Sequence, residues 1–254
     1  MLSPMPVTPP RDLEKDLIAH RQTELHGSRL GPVIHDIVYG AHDGIVTTFA
    51  VVAGTVGAAL PHSVIIILGV ANLLADGMSM GAGAFLSLRS ERDQFDRLRK
   101  EELEEIEQDA ELERYEVRNF YEKRGFKGKD LDRVVDVLTS DKEIWVETMM
   151  REEHGLTEES TMHPLFHGIA TFLGFVAFGS VPLLPYFFGL GVNSFSIAIG
   201  STFIALILVG LTRSIVTRER MLRGILEIVG VGTLTTIVAY TVGVLLKGIA
   251  GTVM

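Results

Sequence analysis

The sequence predicts an all-α, polytopic membrane protein with five transmembrane helices and a separate cytosolic domain of three helices. Two observations predict this class. The apolar residues of the 254-residue chain, whose mean hydropathy is +0.30, are concentrated in long runs, and five runs reach the roughly 20 residues that a helix needs to cross a bilayer. Between the second and third runs lies an acidic insert, residues 89–163, in which 23 of 75 residues are Asp or Glu. We therefore do not expect a soluble single domain.

The five predicted spans set the organisation of the chain. They run approximately over residues 33–57, 63–88, 165–190, 194–213 and 224–250. The connectors 58–62 and 191–193 are very short, so spans one and two form one hairpin and spans three and four form another. We expect four parts, which are an N-terminal tail at 1–30, a first membrane segment at 31–88, the insert at 89–163 and a second membrane segment at 164–254.

The distribution of Lys and Arg predicts the orientation in the membrane. Residues 1–32 hold four of them, the insert holds fourteen and the turn between spans four and five holds four more, whereas the connectors on the other side hold none. The N-terminus and the insert are therefore predicted to be cytosolic. The net charge of −9 argues against nucleic acid as a partner. Because the chain has no cysteine, a metal site must use carboxylates, His, Met or backbone oxygens.

The insert reads as helical. Its first helix is predicted over about 90–123, as a continuation of span two into the cytosol, and a short helix at 130–138 follows a glycine-containing turn. A third helix is predicted to begin near Ser140, because Ser140 and Glu143 have the spacing of a capping box. Gly155 is predicted to end this third helix.

A stripe of carboxylates follows one face of the first insert helix. At about 100° per residue, five acidic side chains fall within an arc of roughly 80°; they are Glu102, Glu105, Asp109, Glu113 and Glu116. Crowded carboxylates repel one another unless they take up protons or cations, and oxygen ligands suit divalent ions. The alternative is an ordinary solvated acidic helix, because nine of the sixteen residues 101–116 are acidic.

The third insert helix adds sulfur to this set of donors. Met149 and Met150 shortly precede Glu153. A thioether is a soft ligand that Mg²⁺ or Ca²⁺ would not select, so the mixture of Met and Glu favours Fe²⁺ or another first-row metal. The alternative is that the paired methionines fill a small helical core.

Polar residues inside the predicted spans indicate a polar route, because ionisable groups are costly at bilayer depth. Asp36 and Asp43 lie on one face of span one, and Asp43 is the deeper of the two. Polar or sulfur-containing residues recur at every fourth position in span two, as Asn72, Asp76 and Met80. A carboxylate and a thioether beside a narrow polar route could hold and release Fe²⁺. The alternative for Asp36 and Asp76 is that they cap a helix or pair near the membrane surface.

Two further features concern the packing of the spans. Small residues predict that helices approach closely; they are Gly40 and Gly44 in span one and Gly77 and Gly81 in span two. Arg213 in span four and Glu227 in span five are expected to pair with each other or with lipid headgroups.

With these residues the chain resembles the vacuolar iron transporter family. The matching pieces are residues 36–44 (DIVYGAHDG), residues 75–81 (ADGMSMG) and the Glu-rich insert with its paired methionines. The resemblance covers nearly everything after residue 30. It departs at Ala84, where many members carry an acidic residue. If that carboxylate takes part in proton coupling in those members, this chain lacks one of the coupling groups.

The resemblance implies a homodimer of five-span subunits that moves Fe²⁺, and often Mn²⁺, out of the cytosol in exchange for protons. The ion route would follow spans one and two, with Asp43 and Met80 as pathway residues. The insert would be a metal-binding domain whose ligands are Glu102, Glu105, Glu113, Glu116, Met149, Met150 and Glu153. Fe²⁺, Mn²⁺, Co²⁺ and Zn²⁺ are candidate substrates, and no cofactor is expected. The membrane would be vacuolar in a eukaryote and the cell membrane in a prokaryote.

Two other functions remain open from the residues alone. A membrane-bound ferritin-like di-iron oxidase also uses Glu-x-x-Glu pairs, but its Glu-x-x-His motif is absent because Arg151 stands three residues before His154. A membrane scaffold that binds basic partners through the acidic insert would leave the intramembrane aspartates unexplained.

Overall fold

The computed structural model describes residues 31–157, 163–217 and 220–250, together with the isolated positions 13, 15, 16 and 18. In the three long ranges the chain is helical and forms no strand. The helices are α1 Gly31–Gly57, α2 His62–Gln108, α3 Ala110–Lys123, α4 Gly128–Leu138, α5 Lys142–Glu152, α6 Pro164–Gly179, α7 Leu184–Phe187, α8 Ser194–Thr217 and α9 Met221–Ala250. The predicted all-α class is confirmed.

Five segments are long and apolar enough to span a membrane, as predicted; they are Ile34–Gly57, His62–Gln108, Pro164–Phe187, Gly191–Ile215 and Met221–Lys247. The third of them is not one regular helix. After α6 the chain forms a 3₁₀ turn, Val181–Leu183, before the short helix α7. Pro182 and Pro185 lie in this stretch and lack the N–H groups that a continuous helix would use.

Helix α2 joins the membrane bundle to the insert without interruption. Its 47 residues correspond to a length of about 70 Å, more than twice the thickness of a hydrocarbon core. The apolar first half lies among the predicted spans, and the charged second half extends beyond them. The predicted continuation of span two into the insert is therefore confirmed.

The predicted single helix over 90–123 is wrong at one point, because the chain breaks at Asp109. This residue leaves helical geometry, with φ −144° and ψ 69°, and its carboxylate accepts a hydrogen bond of 3.1 Å from the backbone N–H of Leu112. Aspartate favours such an N-cap position over a helix interior. Asp109 therefore caps α3 and is not a fifth member of the carboxylate stripe. The insert consists of the end of α2 and the three helices α3, α4 and α5.

The start of the last insert helix also differs from the prediction. Asp141, not Ser140, caps α5, and its carboxylate accepts hydrogen bonds from the backbone N–H groups of Glu143 at 2.9 Å and Ile144 at 3.1 Å. The Ser140 hydroxyl donates instead to the carbonyl of Val137. The helix ends at Glu152, before the left-handed Gly155 (φ 67°) that the sequence predicted as its end.

The membrane helices assemble around α1, which contacts α2, α6, α8 and α9. The predicted close approaches at glycines are confirmed, and α6 is the partner of both glycine pairs. A Cβ atom on Gly40 would lie 2.3 Å from the Thr171 carbonyl oxygen, and one on Gly81 would lie 2.8 Å from the Gly168 carbonyl oxygen. Helix α6 therefore packs backbone to backbone against α1 and α2.

We expect the variant Gly44→Ala to lower the stability of the membrane bundle. The added methyl group would lie 2.4 Å from the Phe175 carbonyl oxygen, so α1 and α6 would have to separate. A loss of roughly 1–3 kcal/mol, or a melting temperature lower by about 5 °C in detergent, is the expected size. The control is Gly230→Ala in α9, where nothing lies within 4 Å of the added atom. Equal melting temperatures for both variants would contradict the close packing.

Candidate metal sites

The carboxylates of the insert come from three elements that meet in space. Glu102 and Glu105 lie near the end of α2, Glu113 and Glu116 lie on α3, and Glu153 is the C-cap of α5. The break at Asp109 separates the first two pairs into two helices, and α5 contacts both of these helices. One oxygen from each of Glu102, Glu105 and Glu113 lies within 4.8 Å of the others. The structure therefore brings the predicted glutamates together across helices.

A second group shares one residue with the first. Ligand atoms of Glu102, Glu153 and His154 also lie within 4.8 Å of one another. The His154 ring nitrogen Nε2 lies 2.8 Å from Oε1 of Glu102 and forms a hydrogen bond with it. Glu102 is thus common to an all-carboxylate group and to a group that includes an imidazole.

Two of these glutamates are almost completely removed from solvent. Glu102 is 2 % exposed and Glu113 is 6 % exposed, and Oε2 of each has no hydrogen-bond partner among the described residues. A buried ionised carboxylate without a partner is strongly unfavourable. These two side chains therefore need either a proton or a bound cation.

The pKa values of the cluster reflect this burial and the mutual repulsion of the carboxylates. Burial, followed by the charges of Glu116, Glu102, Glu105 and Glu153, raises the pKa of Glu113 to about 7. Burial is also the main cause that raises the pKa of Glu102 and of Glu116. The hydrogen bond from His154 opposes the rise in the pKa of Glu102.

The raised pKa of Glu113 predicts that the metal-free insert is more stable in acid than at neutral pH. In the unfolded chain this carboxyl group titrates near 4.5, and in the folded chain it titrates near 7. The folded state therefore holds an extra proton between these values, so the free energy of unfolding falls as the pH rises through this window. We expect a loss on the order of 1–3 kcal/mol between pH 5 and pH 8.

Trp145 provides the measurement, because it is the only tryptophan of the chain and is buried in the insert. Denaturant melts followed by its fluorescence report on the insert within the full-length protein. In Glu113→Gln the loss of stability with rising pH should become smaller. If the wild-type insert, freed of metal by a chelator, is equally stable at pH 5 and pH 8, the raised pKa of Glu113 is contradicted.

Both methionines of the predicted ligand set lie in the apolar core of the insert. Met149 is 0 % exposed and Met150 is 2 % exposed, and they pack in a cluster with Ile106, Val117 and Trp145. The two methionines therefore fill the helical core, which was the alternative that the sequence left open. Their use as sulfur ligands stays a prediction.

Within the membrane bundle, one acid of α1 and one acid of α2 are neighbours. Asp43 and Asp76 are both partly buried and lie close enough for their charges to repel each other. Asn72 and Met80 are also partly buried; the Asn72 amide nitrogen Nδ2 has no hydrogen-bond partner among the described residues, and Met80 packs against the apolar cluster that contains Phe175. The polar stripe of α2 is therefore directed at least partly into the bundle.

Asp36 has a defined partner. Its Oδ2 lies 2.5 Å from Nδ1 of His167 on α6, and both side chains are about one-fifth exposed. This pairing is the alternative that the sequence left open for Asp36. Arg213 and Glu227 pair with each other at 3.1 Å, as expected, and Arg223 also binds Glu227, at 3.0 Å.

Comparison with known proteins assigns the chain to a protein family. The sequence profile of the VIT family matches residues 34–244, which include the five membrane segments nearly in full and the whole insert. This chain belongs to the VIT family. It is similar to vacuolar iron transporter 1 of Oryza sativa subsp. japonica, with 32 % identity over 87 % of this chain and 88 % of that protein. It is also similar to the vacuolar iron transporter of Plasmodium falciparum (isolate 3D7), with 35 % identity over 83 % of this chain and 81 % of that protein.

A third relative, vacuolar iron transporter 1 of Arabidopsis thaliana, is 30 % identical over 89 % of this chain and 91 % of its own length. Membership of the VIT family identifies the chain as a transporter rather than an enzyme. The oxidase that the insert left open as an alternative is therefore not supported.

Two histidines of this VIT-family chain were not predicted as site residues. His154 contacts the carboxylate cluster, and His167 pairs with Asp36. A histidine within a span is itself a signal for a polar contact, so His167 could have been selected from the sequence. The contact of His154 with Glu102 joins residues that are 52 positions apart and depends on how α5 packs against α2.

Proposed function

We propose that this VIT-family protein exports Fe²⁺ from the cytosol in exchange for protons, with Mn²⁺, Co²⁺ and Zn²⁺ as further candidate substrates. The observation that carries the proposal is the pair Asp43 and Asp76, two partly buried carboxylates that lie close enough within the bundle for their charges to interact. Two neighbouring carboxylates repel each other in a medium of low dielectric constant unless a cation or protons lie with them. The printed names of the relatives, vacuolar iron transporters, support iron as that cation.

The proposed route follows α1 and α2. Asp43 and Met80 form its gate, because an oxygen and a sulfur donor together suit a first-row ion better than Mg²⁺ or Ca²⁺. Further polar groups along the route are Asp76, Asn72 and Asp36. Asn72 supports this assignment, because its buried amide nitrogen has no protein partner among the described residues.

The insert is proposed to collect the ion beside this route. Its ligands are Glu102, Glu105, Glu113, Glu116, Met149, Met150 and Glu153. Burial first, and then the repulsion among the carboxylates, raises the pKa values of Glu102, Glu113 and Glu116, and binding of a divalent ion would offset both effects. The buried Oε2 atoms of Glu102 and Glu113, which have no hydrogen-bond partner among the described residues, would coordinate this ion. The methionines would supply sulfur from the adjoining core.

Proton exchange follows from the same groups. A protonated carboxyl group is a poor ligand, so protons and metal ions compete for each aspartate and glutamate. Protons that enter from the far side of the membrane would release the ion from Asp43. On the cytosolic side, binding should weaken as the pH falls below about 7, the pKa of Glu113.

The remaining features are proposed from the charge distribution and the resemblance. The N-terminus and residues 89–163 are cytosolic, since these segments hold most of the Lys and Arg residues. The protein is a homodimer surrounded by membrane lipid. It lies in the vacuolar membrane if its source is a eukaryote and in the cell membrane if it is a prokaryote.

Transport by the purified full-length chain in proteoliposomes tests this function. Fe²⁺, Mn²⁺, Co²⁺ and Zn²⁺ are offered outside, while one dye reports metal inside and another reports internal pH. We expect metal entry that is coupled to loss of internal protons and is faster when the interior is acidic. Metal entry without proton movement would reject exchange but keep transport. Oxygen consumption by Fe²⁺-loaded protein without metal entry would reject transport.

A further inference from the structure

We propose that His154 is a nitrogen ligand in the metal cluster of the insert, at a position that it shares with Glu102 and Glu153. The inference rests on the proposed metal-collecting role of the insert and specifies its chemistry. An imidazole among carboxylates would make this position favour the later first-row ions, such as Co²⁺ and Zn²⁺, over Mn²⁺ and Mg²⁺.

The geometry places three donors around one point. Atoms from Glu102, Glu153 and His154 lie within 4.8 Å of one another. Ligands bound to one ion at about 2.1 Å lie about 3–4 Å from each other. The separations of the three donor atoms are therefore close to those of ligands that share one ion.

The backbone holds His154 in this place. Glu153 is the C-cap of α5, and its N–H donates to the carbonyl of Met149 at 2.9 Å. Gly155 then turns the chain with φ 67°, and the N–H of Leu156 donates to the carbonyl of Met150 at 2.9 Å. His154 thus lies between a helix end and a hydrogen-bonded turn, and its ring is 21 % exposed. A ligand that is already ordered loses little conformational entropy when it binds an ion.

The buried carboxylate of Glu102 supplies the independent sign of a ligand. His154 satisfies only Oε1 of Glu102, while Oε2 remains buried without a hydrogen-bond partner among the described residues. The side chain is 2 % exposed, and the charges of Glu153 and Glu105 also act on it. One imidazole therefore leaves the carboxylate incompletely satisfied. A divalent ion between Glu102 and His154 would replace their hydrogen bond and bring two positive charges into the cluster.

The competing explanation is that His154 only holds Glu102 in position through its hydrogen bond. The variant His154→Gln separates the two roles, since glutamine keeps an N–H donor but is a much weaker ligand for Zn²⁺. The matched control is His163→Gln, which changes an exposed histidine just before α6. Trp145 fluorescence shows whether the insert of each variant remains folded.

Competition titrations with Zn²⁺ and Mn²⁺ on the full-length protein in detergent test the proposal. In His154→Gln we expect Zn²⁺ affinity to fall at least about tenfold, while Mn²⁺ affinity changes less than about threefold because Mn²⁺ gains less from an imidazole. His163→Gln should behave as wild type. An unchanged ratio of Zn²⁺ to Mn²⁺ affinity in a folded His154→Gln protein would overturn the proposal.

X-ray absorption of wild-type protein with one equivalent of Zn²⁺ gives a second test that does not depend on a variant. Imidazole ligation produces outer-shell scattering from the ring atoms, and its absence would overturn the proposal. The variant Glu102→Gln separates the proposed histidine ligand from the proposed metal-collecting role of the cluster. If Glu102→Gln loses Zn²⁺ binding while His154→Gln does not, only the histidine assignment fails. If Glu102→Gln binds Zn²⁺ as wild type does, the proposed metal-collecting role of the cluster fails as well.

Discussion

Asp43→Asn is expected to abolish metal flux into proteoliposomes. The substitution keeps the size of the side chain but removes the charge that interacts with Asp76 on α2. Without that charge, a divalent ion at this depth loses one of its two carboxylate partners and must bear a larger desolvation cost. We expect at least about a hundredfold slower Fe²⁺ entry, which corresponds to about 2.7 kcal/mol in the barrier.

The control for this variant is Glu227→Gln, which also removes one carboxylate charge from a membrane helix. Glu227 is 42 % exposed, and its carboxylate is paired with Arg213 and Arg223. The metal flux of Glu227→Gln should remain within about twofold of wild type, because partly exposed ion pairs contribute little to stability. Asp43→Asn should still bind metal at the insert. Wild-type flux in Asp43→Asn would remove this residue from the pathway.

The second large effect concerns the double variant Glu102→Gln/Glu105→Gln. It removes two carboxylates from the cluster of the insert, one of which is buried and shared by both candidate ligand groups. If the cluster raises the local ion concentration, Fe²⁺ flux at low metal should fall about tenfold or more. At saturating metal the flux should approach that of wild type, because the membrane route is intact. Initial rates over a range of Fe²⁺ concentrations measure this difference.

A matched control lies on the same helix and carries the same change of charge. Glu101 and Glu104 pair with Arg97 and Lys100 on the exposed face of α2, away from the cluster. Glu101→Gln/Glu104→Gln should leave the dependence of flux on Fe²⁺ concentration unchanged. Equal effects of the two double variants would show that net charge, rather than the cluster, attracts the ion.

Much of this architecture follows from local properties of the sequence. The five spans are predictable because about 20 apolar residues in succession can satisfy their backbone groups in lipid only as a helix. Helical periodicity selected Glu102, Glu105, Glu113 and Glu116 as one group, but it placed them on a single helix that the break at Asp109 divides into two. The structure assembles these four residues near one another together with Glu153.

The details that failed are those in which similar local signals compete. Asp109 continues the acidic periodicity of its helix, but its side chain is also a good cap, and the break at this residue lets it accept the N–H of Leu112. Ser140 and Asp141 are neighbouring cap candidates, and Asp141 receives the N–H groups of α5. Local preference does not separate such neighbours, because each choice satisfies a similar number of backbone groups.

The sequence by itself determined the all-helical class, the five membrane segments and the acidic character of the insert. These features depend on hydrophobicity, charge and helical period, which act over a few turns of one helix. Only the tertiary structure decided that α6 is the partner of both glycine pairs, that Asp36 bonds to His167, and that His154 reaches Glu102. Each of these contacts joins distant parts of the chain, so it depends on how whole helices pack and not on the residues beside it in the sequence.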